Sequence, residues 1–167
     1  GRSALGNQNF TTATDTYNTA VGHDAGLSVT TGLNNTLVGG LAGDAITTGN
    51  LNTYIGSNAG SAATDVDNNT AVGAFAFDAG TGADNTAVGS GALGGGSNSG
   101  ASNVAVGKDA GNAVTTGTNN TLIGSLAGTA ITTGGSNVAI GYQALDLEDT
   151  GSNSVAIGRG ALSAQNY

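Results

Sequence analysis

Apolar and polar positions follow one another in a unit that restarts at intervals of about 17 residues. Each unit opens on an asparagine, at Asn18, Asn35, Asn52, Asn69, Asn85, Asn103, Asn120 and Asn137, with Ser154 in the last copy. Three β-branched or apolar residues follow, and then a glycine, at Gly22, Gly39, Gly56, Gly73, Gly89, Gly107, Gly124, Gly141 and Gly158. An alanine stands three residues beyond each glycine, from Ala25 to Ala161, and Gly1 with Ala4 begins the same series. The unit reads N-x-x-[VI]-G-x-x-A-[GL]. Short β-branched stretches bounded by turn residues predict strands. In the fuller copies Val29, Ile46, Val114 and Ile131 recur ten residues before the next glycine, which predicts a return strand.

A unit this short cannot bury its apolar face alone, so successive copies must stack. The expected fold is all-β: a parallel β-solenoid in which residues 1–167 form a single array of about ten coils, some 4.8 Å apart and roughly 45 Å long. Two irregular stretches, near 7–17 and 94–102, are expected as loops projecting from the rod. The segments Gly22 to Gly49 and Gly107 to Gly134 lie five coils apart and are identical at 21 of 28 positions, which is the mark of a duplicated five-coil block. Collagen is excluded because glycine does not fall at every third position and proline is absent, and no heptad supports a coiled coil.

Side chains alternate between the two faces of a strand. The Val or Ile beside the glycine is assigned to the coil core: Val21, Val38, Ile55, Val72, Val88, Val106, Ile123, Ile140 and Ile157. The residue before it is then outward: Ala20, Leu37, Tyr54, Ala71, Ala87, Ala105, Leu122, Ala139 and Ala156. No charge occurs in that row. A strand apolar on both faces is normally covered on both, so this row is expected to be an oligomer face. The glycines are expected at corners that need positive φ and close stacking, and the asparagines as an amide ladder along the rod.

Composition narrows the function. Glycine makes up 31 of 167 residues, only 8% of residues are charged, and the net charge is -8. Three basic residues (Arg2, Lys108 and Arg159) are too few to neutralise a nucleic-acid backbone. Without cysteine there is no disulfide framework, and no apolar run is long enough for a membrane span. The missing signal peptide and initiator methionine suggest a mature product or a fragment. Both ends carry the same corner motif, GRSAL and GRGAL, so the chain is expected either to be a piece of a longer polypeptide or to stack end to end as a filament.

Candidate chemistry is sparse. His23, the one histidine, sits beside Asp24 with no regularly placed nucleophile and reads as a solvated corner residue. Asp65, Asp67 and Asn68 form an acidic group without the spacing of a calcium loop, and Asp146, Glu148 and Asp149 read as a solubilising loop. Gly94 to Gly96 lack the lysine of a phosphate loop. Phe75 and Phe77 flank Ala76 and are expected to fill a corner. No catalytic, cofactor-binding or metal-ligating residue is assigned, and the chain is expected not to be an enzyme. The pairs Thr30 and Thr31, Thr47 and Thr48, Thr115 and Thr116, and Thr132 and Thr133 raise ice binding as the alternative function. Interrupting coils at Thr64 and Asp65, Thr81, and Asn98 and Ser99 count against that.

The copies SNVAIGYQAL (Ser136 to Leu145), SNSVAIGRGAL (Ser152 to Leu162) and NTAVGSGAL (Asn85 to Leu93) resemble the head repeats of YadA-type trimeric autotransporter adhesins and the related repeats of bacteriophage tail fibres. The resemblance covers nearly the whole chain. It implies a left-handed β-roll, three chains about one axis, an extracellular location and a role in attachment to an unidentified receptor. Variable residues after each glycine, such as His23 and Asp24 or Tyr142 and Gln143, would make the contacts. Two features depart from the adhesin pattern: the coil is longer than most adhesin head repeats, and threonine stands three before the glycine in six copies (Thr19, Thr36, Thr53, Thr70, Thr86 and Thr121).

Overall fold

The computed structural model of the chain describes residues 1–9, 14–147 and 150–163. It is an all-β solenoid of about eight turns. Nine three-residue strands are described: β1 (Thr19–Val21), β2 (Thr36–Val38), β3 (Thr53–Ile55), β4 (Thr70–Val72), β5 (Thr86–Val88), β6 (Val104–Val106), β7 (Thr121–Ile123), β8 (Val138–Ile140) and β9 (Val155–Ile157). They form one parallel sheet in sequence order. Register is kept at every step, even where one coil loses a residue (Thr70 beside Thr86) and the next gains one (Thr86 beside Val104).

The expected return strand is absent: among the described residues only one segment per coil is a strand. The return limb still bonds coil to coil, with Thr30 N donating to Thr47 O at 3.0 Å, Thr47 N to Thr64 O at 2.9 Å and Thr115 N to Thr132 O at 2.9 Å. Its Val29, Ile46, Val114 and Ile131 side chains are fully buried. Nor does the glycine-rich stretch near 94–102 project. Gly95 N donates to Asn112 O at 3.1 Å, Ser99 N donates to Thr115 O at 2.7 Å, and Asn98 is buried. The extra residue is taken up inside the wall. Of the stretch near 7–17, residues 10–13 lie outside the described residues, and Asn9 N reaches Thr30 O at 3.3 Å.

The corner glycines adopt φ between 120° and 142° from Gly22 to Gly158. A Cβ on Gly39 would stand 2.2 Å from the carbonyl oxygen of Gly56, so stacking as well as φ excludes a side chain there. The asparagines from Asn35 to Asn137 are buried and form the ladder. Each side-chain oxygen accepts the next asparagine's backbone N–H, as in Asn52 N to Asn35 Oδ1 and Asn120 N to Asn103 Oδ1, both at 3.0 Å. Each of several amides donates onward to the next coil, as in Asn35 Nδ2 to Gly49 O at 2.8 Å and Asn103 Nδ2 to Gly117 O at 2.9 Å. Asn18 starts the row by accepting from Asn35 N at 2.8 Å, and Ser154 N closes it on Asn137 Oδ1 at 2.9 Å.

The assignment of the two strand faces is corrected. Leu37, Tyr54, Ala71, Ala87, Ala105, Leu122, Ala139 and Ala156 are buried in the coil, and Ala20 packs against the same core, so this row is not an oligomer face. Val21 (56% exposed), Ile55, Ile123 and Ile157 (66%) are exposed, and Val38, Val72, Val88, Val106 and Ile140 are half-buried on the outside. The ladder sets this parity. Asn35 points inward to meet its neighbours, so Leu37, two residues on, does too, while Thr36 and Val38 face out. The interior is also thin. It already holds the asparagine, the turn alanine and the return-limb Val or Ile of each coil, leaving room for alanine in most strands.

Candidate interaction face

The outer face of the sheet carries two columns. The first holds Thr19, Thr36, Thr53, Thr70, Thr86, Val104, Thr121, Val138 and Val155, and the second the Val or Ile beside each corner glycine. No strand residue is charged. None of the six threonines of the first column spends its hydroxyl on a hydrogen bond among the described residues. The result is a strip of methyl groups and free hydroxyls running the length of the rod on a chain of net charge -8. Sequence reasoning put the second column in the coil core. The first column it noted only as a departure from the adhesin pattern.

Polar groups lie on the other sides. At the corner after each glycine, His23 Nδ1 is 3.2 Å from Asp24 Oδ2, and Lys108 Nζ is 3.5 Å from Asp109 Oδ2. Arg159 lies over the Tyr142 ring at 5.9 Å from its centroid. The three basic residues and the one histidine thus share a single position of the repeat. His23 is exposed at its corner, and the ion-pair partner it has there is Asp24.

Several acidic groups are engaged in the wall. Asp65 accepts from the hydroxyls of Thr47 and Thr48, the latter at 2.9 Å, and these bonds hold its carboxyl below the usual carboxylate range. Asp67 accepts from Asn50 N at 2.7 Å, repeating on the surface what Asn35 does inside. Asp44 is shifted the other way: burial pushes its carboxyl up, and Asp24 and Asp78 add to the effect. Among the described residues no group of three His, Cys, Asp or Glu could hold a metal ion, and no cavity is found. Glu148, Asp149 and Tyr167 lie outside the described residues.

The aromatic pair expected to fill one corner is divided. Phe77 is buried against Tyr54, with ring centroids 6.5 Å apart, whereas Phe75 is 51% exposed. Tyr54 donates to Asn52 Oδ1 at 3.4 Å, and burial pushes its phenol well above the usual range. Thr31, Thr48, Thr116 and Thr133 are exposed on the return limb, while Thr30 and Thr115 donate to the carbonyls of Thr47 and Thr132. The array breaks at Asp65, Thr81 and Ser99, so the return limb offers no continuous threonine surface.

Compared with known proteins, the chain matches no family model, no curated protein and no solved structure.

Proposed function

We propose that this chain is a structural and adhesive segment of an extracellular fibre, in which three copies lie side by side and the corners carry attachment. One observation carries the reading: the uninterrupted, uncharged outer columns of β1 to β9. An apolar strip along a chain of net charge -8 calls for cover. A second copy suits it for two physical reasons. A meeting surface free of charge keeps the carboxylates of two like-charged chains away from the contact, and an identical rod has rungs in step with these at every level. The number three, the left-handed roll and the extracellular location follow from the resemblance to adhesin and tail-fibre repeats. With no cavity or metal-binding group among the described residues, contacts with a receptor fall to exposed corner side chains such as His23, Tyr142 and Arg159.

The chain has no cysteine, so a single Val72→Cys variant provides a direct test. In an assembly through the outer columns, this cysteine should form interchain disulfides under mild oxidation, while Thr116→Cys on the return limb should not. The reverse pattern contradicts the reading. For attachment, the triple variant His23→Ala, Tyr142→Ala, Arg159→Ala should keep the parent mass and lose capture of target cells or particles. Unchanged capture would remove the corners from the proposal.

The free threonine hydroxyls favour a second reading, ice binding by the strand face rather than by the return-limb pairs first considered. Thermal hysteresis with faceted crystals would support it. We expect none, because a face covered by sister chains is closed to ice.

A further inference from the structure

We infer that copies of this chain are held together mainly by the C-terminal rungs, β6 to β9, while the threonine-bearing rungs β1 to β5 form a wetter half of the same interface. This rests on the self-association proposed above. The duplication supplies the argument, because each outward position of β1 to β4 has a counterpart five coils later in β6 to β9. In the first column Thr19, Thr53 and Thr70 correspond to Val104, Val138 and Val155, and Thr36 to Thr121. In the second, Val38 and Val72 correspond to Ile123 and Ile157, while Val21 and Ile55 are matched by Val106 and Ile140. Five of these eight pairs gain apolar character toward the C-terminus and none loses it.

The inward row shows no such trend. Ala20, Leu37 and Ala71 correspond to Ala105, Leu122 and Ala156, and the remaining pair, Tyr54 and Ala139, becomes smaller. Within the strands, the gain in apolar character is therefore confined to the outer columns. Threonine and valine have nearly the same shape, so each Thr-to-Val step removes a hydroxyl and leaves the packing alone. Under cover by a second copy, a hydroxyl must find a cross-chain partner or keep a water, whereas a methyl group needs neither. The occupant is a second copy of this chain on two grounds already given: an uncharged meeting surface and rungs in step.

Ile55 and Ile140 make a matched pair, being the same residue at duplicated positions on the outside of the sheet. Sedimentation equilibrium of the full chain should show Ile140→Asp weakening self-association at least 100-fold and Ile55→Asp by less than tenfold. Equal effects, or a larger effect from Ile55→Asp, would overturn the inference. Val104→Thr, Val138→Thr and Val155→Thr combined should weaken association at least tenfold with an unchanged circular dichroism spectrum. Unchanged or tighter association in that triple variant overturns it as well. A parent chain that is itself monomeric would instead defeat the fibre proposal on which this rests, so the two failures are distinguishable.

Discussion

Gly124 and Gly158 occupy the same corner of the coil, with φ of 130° and 120°, and differ in what lies above them. A Cβ on Gly124 would stand 2.5 Å from the carbonyl oxygen of Gly141, whereas among the described residues nothing lies within 4 Å of one on Gly158. Backbone strain alone costs about 1–3 kcal/mol, so Gly158→Ala should lose that much in urea unfolding. Gly124→Ala should lose clearly more, because the coils must also move apart. Asn103→Ala should cost several kcal/mol, since it leaves Asn120 N and Gly117 O without partners, at about 1–3 kcal/mol per orphaned buried group. Two carboxylates give opposite pH effects. The Asp65 carboxyl is lowered, so its contribution is present above its unfolded pKa of about 3.9 and is lost as pH falls through the folded value. Asp65→Asn should therefore flatten acid destabilisation. The Asp44 carboxyl is raised, and Asp44→Asn should stabilise the fold at pH 7, a gain that shrinks as pH falls through the raised folded value and is gone below the unfolded pKa of about 3.9. Glycine and asparagine were legible at this scale because each does one thing well. The left-handed φ of Leu41 (58°), Phe75 (57°) and Leu126 (59°) was not, because these residue types give no local sign of it and tertiary stacking imposes it.

Within a coil, the core is filled by trading volume between the strand centre and the residue four beyond the corner glycine. Leu37, Tyr54 and Leu122 are followed by Gly43, Gly60 and Gly128, while Ala71, Ala87, Ala139 and Ala156 are followed by Phe77, Leu93, Leu145 and Leu162. The exchange is steric. A Cβ on Gly43 would meet Leu37 Cδ2 at 2.8 Å, and one on Gly60 would meet the Tyr54 ring at 2.3 Å. Coils with a small residue at both places borrow from their neighbours, as where Leu37 Cδ1 and Leu5 Cδ2 close over Gly26. Leu37→Ala should cost about 2–5 kcal/mol, and adding Gly43→Leu should restore a large part. The rescue is available because Leu93 and Leu145 already hold this turn position at φ of 49° and 55°. Thermal melts of the single and double variants check this, and a double variant less stable than Leu37→Ala would refute it. The alternation of AG with AL was visible in the repeat. Strand parity was misread because the Val or Ile beside the glycine was taken as the buried residue. The better signal was present in the same line: an inward asparagine fixes the residue two beyond it as inward.

Over the whole molecule, the ladders explain the rod, and the outer columns explain why a rod this thin would seek company. The strand stack, corner glycines and buried amides were readable from periodicity. The two-stranded coil was not borne out, because the return limb makes coil-to-coil bonds without a run of extended residues long enough to be a strand. Which surface stays exposed could be decided only after parity was known, and that reversal moved the expected contact from the alanine row to the Thr/Val and Val/Ile columns. The most direct measurement is sedimentation equilibrium of the full chain at micromolar concentration. The account predicts a mass of about three times the 15.8 kDa chain, reduced by Ile140→Asp. A folded species of 15.8 kDa that keeps its outer columns in water would contradict it.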